Sequence, residues 1–163
     1  MSNKRRPETL SSVVRTEELT EALRILLADV YALYVKTKSF HWHITGPHFR
    51  DYHLLLDEQA SQILAMTDEI AERGRKLGGT TIRSIGDISR RQRLADHDGE
   101  TAVTAFEMLE ELRRDNVLLN GHLYEVHELC DQHDDAATAS LIEVWIDQTE
   151  QRVWFLREST AAA

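Results

Sequence analysis

The chain has 163 residues, 28 acidic against 19 basic side chains, a net charge of −9, seven glycines, two prolines and one cysteine. That length suits one domain with a real core, and 42% apolar with 29% charged residues excludes wholesale disorder. So few turn-formers argue against a β-sandwich or barrel, and the acidic body argues against a generic nucleic-acid-binding surface. One cysteine excludes an internal disulfide or a Cys-based zinc site and suits a reducing compartment. No apolar run follows the basic residues near Met1, so no secretory signal is expected. No run of about 18 apolar residues is present to span a membrane.

Residues 1–14, with Lys4, Arg5, Arg6 and Pro7, are expected to form a mobile tail, and residues 15–160 a single helical domain. Thr16 followed by Glu17 and Glu18 reads as a capped helix start. From Leu19 through Leu23, Leu26, Val30, Leu33 and Thr37 to Phe40 the apolar positions step by threes and fours, a helix of about 27 residues or about 40 Å. Gly46-Pro47 breaks it, with Pro47 placed to enter the first turn of a second helix that stops at Gly78-Gly79. A long connection follows from Thr80 to Asp98, with a short helix around Asp87–Arg93. A third long helix is expected from about Asp98, its stripe running through Ala102, Phe106, Leu109, Leu112, Leu119, Leu123, Val126 and Cys130. Asp134 or Asp135 can cap a fourth, containing Leu141, Val144, Trp145, Trp154 and Phe155. Four long helices and one long connection define an all-α four-helix bundle with a short extra helix between helices two and three.

The second helix carries two faces. With His53 at 0° and about 100° per residue, Leu55, Leu56, Ile63, Met66, Ile70 and Leu77 fall at about 200–300°, the core stripe. His53, Asp57, Asp68 and Glu72 fall roughly opposite, at about 0–100°. His53 and Asp57 are neighbours on the helix surface, as are Asp68 and Glu72, so each pair can offer two ligands to one cation. The pairs lie about 16 Å apart along the axis, too far for one chain to close both around one metal. Antiparallel packing of the helix on its own copy, with the axis near Gln62 and Ile63 and with Ser61 and Leu64 close by, sets one pair against the partner's other pair and makes two identical sites. Carboxylates plus imidazole suit iron, manganese or zinc; calcium would not take the histidines. No acidic residue stands three before any of the eight histidines, so the Glu-x-x-His pairs of intrachain di-iron bundles are missing, as is a His-Glu-x-x-His zinc motif.

Lys38, His41-Trp42, Gly46-Pro47, His53 and Asp57, then Asp68, Glu72-Arg73 and Leu77-Gly78-Gly79, resemble the Dps family, the miniferritins. The resemblance extends over essentially the whole chain, including the connection after Gly79 and Trp154-Phe155. It implies a ferritin-like four-helix bundle in a homo-oligomeric shell, a dodecamer, with a ferroxidase site at each two-fold interface. His41, His53 and Asp57 of one chain and Asp68 and Glu72 of its partner would be the metal ligands. Two irons could bind per site. Fe(II) would be oxidised by hydrogen peroxide or O2 and stored as ferric mineral, in a cytoplasmic protein that associates with the nucleoid if it binds DNA.

The same resemblance sets Trp42 beside the metal and leaves Lys38 able to pair with a site carboxylate. It points to Asp131, Asp134, Asp135, Glu143 and Asp147 as lining for a three-fold pore, although Ser140 stands where many members carry Asp. DNA contact would fall to Lys4, Arg5 and Arg6, with a second basic cluster at Arg83, Arg90, Arg91 and Arg93. In a twelve-chain shell the charge of −9 per chain sums to about −108, a field that draws cations and opposes DNA. The expected function is therefore an iron-storing ferroxidase. The alternative is a DNA-compacting architectural protein whose metal site mainly holds dimers together.

Overall fold

The computed structural model describes residues 10–99 and 103–161, with side chains from residue 16 onward. Five helices follow in chain order: α1 Leu10–His43, α2 Phe49–Lys76, α3 Ile85–Arg91, α4 Ala105–Gln132 and α5 Ala136–Thr160. Among the described residues there is no strand, and no helix is long and apolar enough to cross a membrane. The four long helices form the expected bundle, and α3 is the short helix of the connection.

Cross-helix bonds fix the directions. Lys38 meets Asp57 while His41 meets His53, so α1 and α2 run antiparallel. Lys36 with Asp115 and Glu18 with His133 make α1 and α4 antiparallel. Asn116 with Arg152 and His127 with Glu143 do the same for α4 and α5. Trp145 with Glu69 and Arg73 with Thr138 pair α5 against α2. With all four neighbours antiparallel, the chain from α2 to α4 must travel the length of the bundle, which is why that connection is long.

The core holds the expected positions of α1 from Leu19 to Phe40 and, on α2, Leu56, Ile63, Met66 and Ile70. Cys130 is fully buried, and burial pushes its thiol up to about 12, as befits a small core residue. Helix α2 ends in a Schellman motif. Gly78 takes φ +88°, its N–H donates to the Arg75 carbonyl, and the Gly79 N–H donates to the Gly74 carbonyl.

Several boundaries differ from the sequence reading. Helix α1 begins at Leu10 rather than Thr16 and spans 34 residues, so residues 10–14, expected as tail, are helical. Nothing between Leu10 and Thr16 breaks a helix, and a good cap does not start one where the preceding turn is also helical. Lys4, Arg5 and Arg6 lie outside the described residues. Pro47 sits two residues before α2, in a tight turn closed by the Phe49 N–H on the Gly46 carbonyl at 3.0 Å, not in the helix's first turn. The short helix starts two residues early because Ser84 caps it, accepting from the Asp87 N–H. Helix α4 starts at Ala105 instead of near Asp98, set by a capping box in which Thr104 and Glu107 satisfy each other's backbone N–H. Ala102 therefore leaves the stripe and lies outside the described residues, while Phe106 is exposed. Val144, Trp154 and Phe155 are also exposed, and Trp145 alone of that group is buried. Of the two acids before α5, Asp135 is the cap; Asp134 occupies the left-handed region at φ +55° and makes the turn.

The backbone N–H and the hydroxyl of Thr104 hold the Glu107 carboxyl below its ordinary 4.5. A depressed carboxylate contributes above its unfolded pKa and loses that contribution as pH falls through its folded value. Thr104→Ala should lower stability by about 1 kcal/mol in denaturant unfolding, and the Glu107 carboxyl, followed by carbon NMR, should then titrate at higher pH.

Candidate metal centre

The turn at Gly46, with φ +114°, folds the end of α1 against the start of α2. It brings the His41 and His53 rings into a stack, centroids 3.7 Å apart and 22° from parallel. Each ring bonds to the other's backbone: His41 Nδ1–H donates to the His53 carbonyl at 2.8 Å, and His53 Nδ1–H to the His41 carbonyl at 2.8 Å. A carbonyl only accepts, so the proton of each neutral ring sits on Nδ1 and the lone pair is on Nε2. This is how a protein orients metal-binding imidazoles. His41 is buried, His53 is half-buried, and the Phe49 ring lies 5.0 Å from His53.

Asp57 stands one turn further along α2, exposed, with Oδ1 3.8 Å from His41 Nε2 and 2.7 Å from Lys38 Nζ. The Lys38 hydrogen bond, and then its charge, hold the Asp57 carboxyl below its ordinary 3.8. Lys38 thus pairs with the site carboxylate, and its ammonium also lies 6.0 Å from the centroid of the exposed Trp42 ring. His41, a candidate that the faces of the second helix cannot reveal, joins His53 through the stack.

Asp68 and Glu72 occupy the same exposed side of α2, further along, where Lys76 Nζ bonds Glu72 at 3.1 Å. One chain therefore gathers His41, His53 and Asp57 and leaves Asp68 and Glu72 apart. Among the described residues, no group of three or more His, Cys, Asp or Glu side chains is arranged around one cation position. Exposed Ser61 and Leu64 lie on the surface between the two acidic pairs.

Of the five pore candidates, Asp131, Asp134 and Asp135 sit where α4 gives way to α5, and Glu143 and Asp147 lie further along α5. Asp131, Asp134, Glu143 and Asp147 are exposed, and Glu143 accepts from His127 at 3.2 Å. Asp135 is engaged otherwise: it caps α5 and holds Arg73 at 2.7 Å. In the connection, Arg91 is tied to Asp87 and Glu21, Arg93 to the buried Asp29 and to Glu125, and the exposed Arg90 reaches Asp87 at 3.5 Å, so three of the four arginines of that cluster are paired within the chain.

The sequence family described as Ferritin-like domain matches residues 20–161. The chain is 36% identical over 132 residues to a low temperature-induced protein of Nostoc, covering 80% of this chain and 73% of that one. It is 30% identical over 130 residues to the DNA protection during starvation protein of Brevibacillus brevis, covering 80% of this chain and 86% of that one. The solved structure of Dps from Thermosynechococcus elongatus superposes with a TM-score of 0.90 at 29% identity, covering 94% of this chain and 96% of that chain.

Bundle, crossover connection and family match together make this a ferritin-like protein. Within that class the chain belongs to the Dps family. Membership brings with it, in general terms, a function of the iron-storage, ferroxidase type.

In its neutral form each of His41 and His53 should be the Nδ1–H tautomer. Long-range proton–nitrogen NMR of the ring nitrogens reads this directly; an Nε2–H pattern at either ring would contradict the hydrogen bonds described.

Proposed function

We propose that this protein oxidises Fe(II), with hydrogen peroxide as oxidant, at sites shared between two copies of the chain, and stores the ferric product inside an oligomeric shell. The observation that carries the reading is the His41–His53 stack: two imidazoles with Nε2 lone pairs fixed beside the ionised Asp57. Asp68 and Glu72 would come from the partner across an isologous two-fold, as the separation along α2 requires. Anionic oxygen donors favour Fe(III) over Fe(II), which pulls the oxidation forward.

Iron is the substrate here, and the electrons balance simply. Two ferrous ions each give one electron to one peroxide, whose O–O bond breaks, and two protons complete two waters. Hydrolysis of the ferric ions to mineral then releases protons, so oxidation with mineralisation acidifies the medium. Lys38 holds Asp57 ionised until a metal cation takes its place on the same oxygen. Because carboxylates and imidazoles must be deprotonated to bind, iron uptake weakens as pH falls.

Peroxide-driven Fe(II) oxidation, followed by ferric absorbance in a stopped flow, should fall about tenfold or more in His53→Ala/Asp57→Ala; an unchanged rate removes the assignment. Sharing is tested by mixing that variant with Asp68→Ala/Glu72→Ala during reassembly. Each variant alone should be inactive. Random pairing should restore about a quarter of the sites, because half the dimers are mixed and each mixed dimer carries one intact site of two. No recovery on mixing would argue for a site inside one chain.

DNA protection is the second reading, favoured by the name of the Brevibacillus brevis relative and by Lys4, Arg5 and Arg6 near the chain start. If it holds, plasmid retardation at low salt should disappear on removing residues 1–8 and weaken steeply with added salt.

A further inference from the structure

The otherwise apolar interior of the bundle holds buried polar side chains that the iron reading does not use. Arg152 of α5 is 1% exposed. Its Nε donates to Asn116 Oδ1 at 2.8 Å and its Nη2 to Thr149 Oγ1 at 2.7 Å, both neutral groups. Nη1 is buried and has no hydrogen-bond partner among the described residues. Gln59 of α2 is 3% exposed, and neither its amide nitrogen nor its amide oxygen has a partner among them.

The helix register sets these two residues at one level. Along the antiparallel α2 and α5, Tyr52 meets Ser159, Glu69 meets Trp145 and Arg73 meets Thr138. Those pairs sum to 211, 214 and 211, so the residues facing Gln59 fall at about 152–155 on an antiparallel ladder. Within that stretch Arg152 is the polar residue on the buried side of α5. Gln59 lies on the buried side of α2 with Leu56 and Ile63.

The carboxylates nearest in sequence to Asn116 are committed elsewhere. Asp115 holds Lys36 at 2.8 Å, and Glu111 holds Lys36 at 3.0 Å and His97 at 2.9 Å. Burial, with no charged partner to offset it, lowers the Arg152 guanidinium to about 10. An enclosed cation without a counter-charge is strongly disfavoured. The free groups are mostly donors: two hydrogens on Nη1 and two on the Gln59 amide, against one amide oxygen.

We propose that Arg152 and Gln59 form an interior site for a small monovalent anion of the halide class, one per chain, held between α2 and α5. A halide accepts from every side and supplies the missing charge. A tetrahedral oxyanion would need more donors and more room than a close-packed bundle interior gives. The site would couple the inner faces of α2 and α5, so the anion would act on stability rather than on iron.

The assembled protein, dialysed for days into chloride-free bromide buffer and crystallised, tests this by anomalous scattering at the bromine edge. A peak between Arg152 Nη1 and the Gln59 amide is the expected result. A non-anomalous water there, or bromide only at the surface, overturns the proposal. In solution the unfolding midpoint should rise with chloride at constant ionic strength balanced by gluconate, and Arg152→Met should abolish that dependence. A wild-type midpoint that ignores the identity of the anion counts against the site, and that measurement stands even where the variant fails to fold. Neither result depends on ferroxidase activity, so the interior anion and the iron reading fail separately.

Discussion

Two hydrogen bonds hold the exposed site together, each running from the Nδ1–H of one histidine to the backbone carbonyl of the other. They clamp the last turn of α1 to the first turn of α2 across a turn of five residues. In doing so they also satisfy a carbonyl at a helix end, where the regular ladder runs out of donors. Structural and chemical roles therefore coincide. The same bond that closes the hairpin selects the tautomer that can ligate, and stacking prevents either ring from turning away. Gly46 makes this possible, since a φ of +114° would strain any side chain placed there.

Much of the fold was legible because helices announce themselves by period. The α1 stripe, the α2 core face and the Gly78-Gly79 stop all follow from spacing and backbone chemistry. The errors came at helix starts. Thr16 looks like a cap, but a cap residue is informative only if the turn before it is not helical; Asp98 lies in non-helical chain seven residues ahead of Ala105, where α4 begins. Thr104 with Glu107 was the stronger signal, since a capping box satisfies two N–H groups at once. Exposed Phe106, Trp154 and Phe155 fit the period loosely and sit outside the core, because a long helix in a bundle buries only part of its circumference.

The site was legible in part for the same reason. His53, Asp57, Asp68 and Glu72 share one exposed side of one helix, so their spacing could be read directly. His41 could not be found that way, since its contribution depends on a turn whose geometry no period reports; it came from resemblance alone. Lys38 was visible as a residue three before His41 but not as the partner of Asp57, for a lysine on a helix surface has many places to go. Arg152 and Gln59 gave no signal at all. A polar residue in a core stripe looks like noise until its hydrogen bonds are counted, and then the unmatched ones stand out.

The buried polar groups also bear on why the proposed iron chemistry would lie outside the single bundle. Ordinary di-iron bundles build their centre inside, from carboxylates and Glu-x-x-His pairs on facing helices. Here the inward carboxylates of α4 at mid-height, Asp115 and Glu111, already hold the Lys36 ammonium, at 2.8 and 3.0 Å. At the α5 side of the same region stands a buried guanidinium. A divalent cation entering that space would have to displace one fixed positive charge and lie near another, both in a low-dielectric interior where such repulsion is strongest. On the outer face of α2 the balance reverses. Asp57, Asp68 and Glu72 are exposed, the cations beside Asp57 and Glu72 are lysines, and the imidazoles have Nδ1 committed to backbone carbonyls. Charge placement thus sets an interior with fixed positive charges against an exterior of exposed carboxylates, the side on which the proposed site would be closed by a second copy.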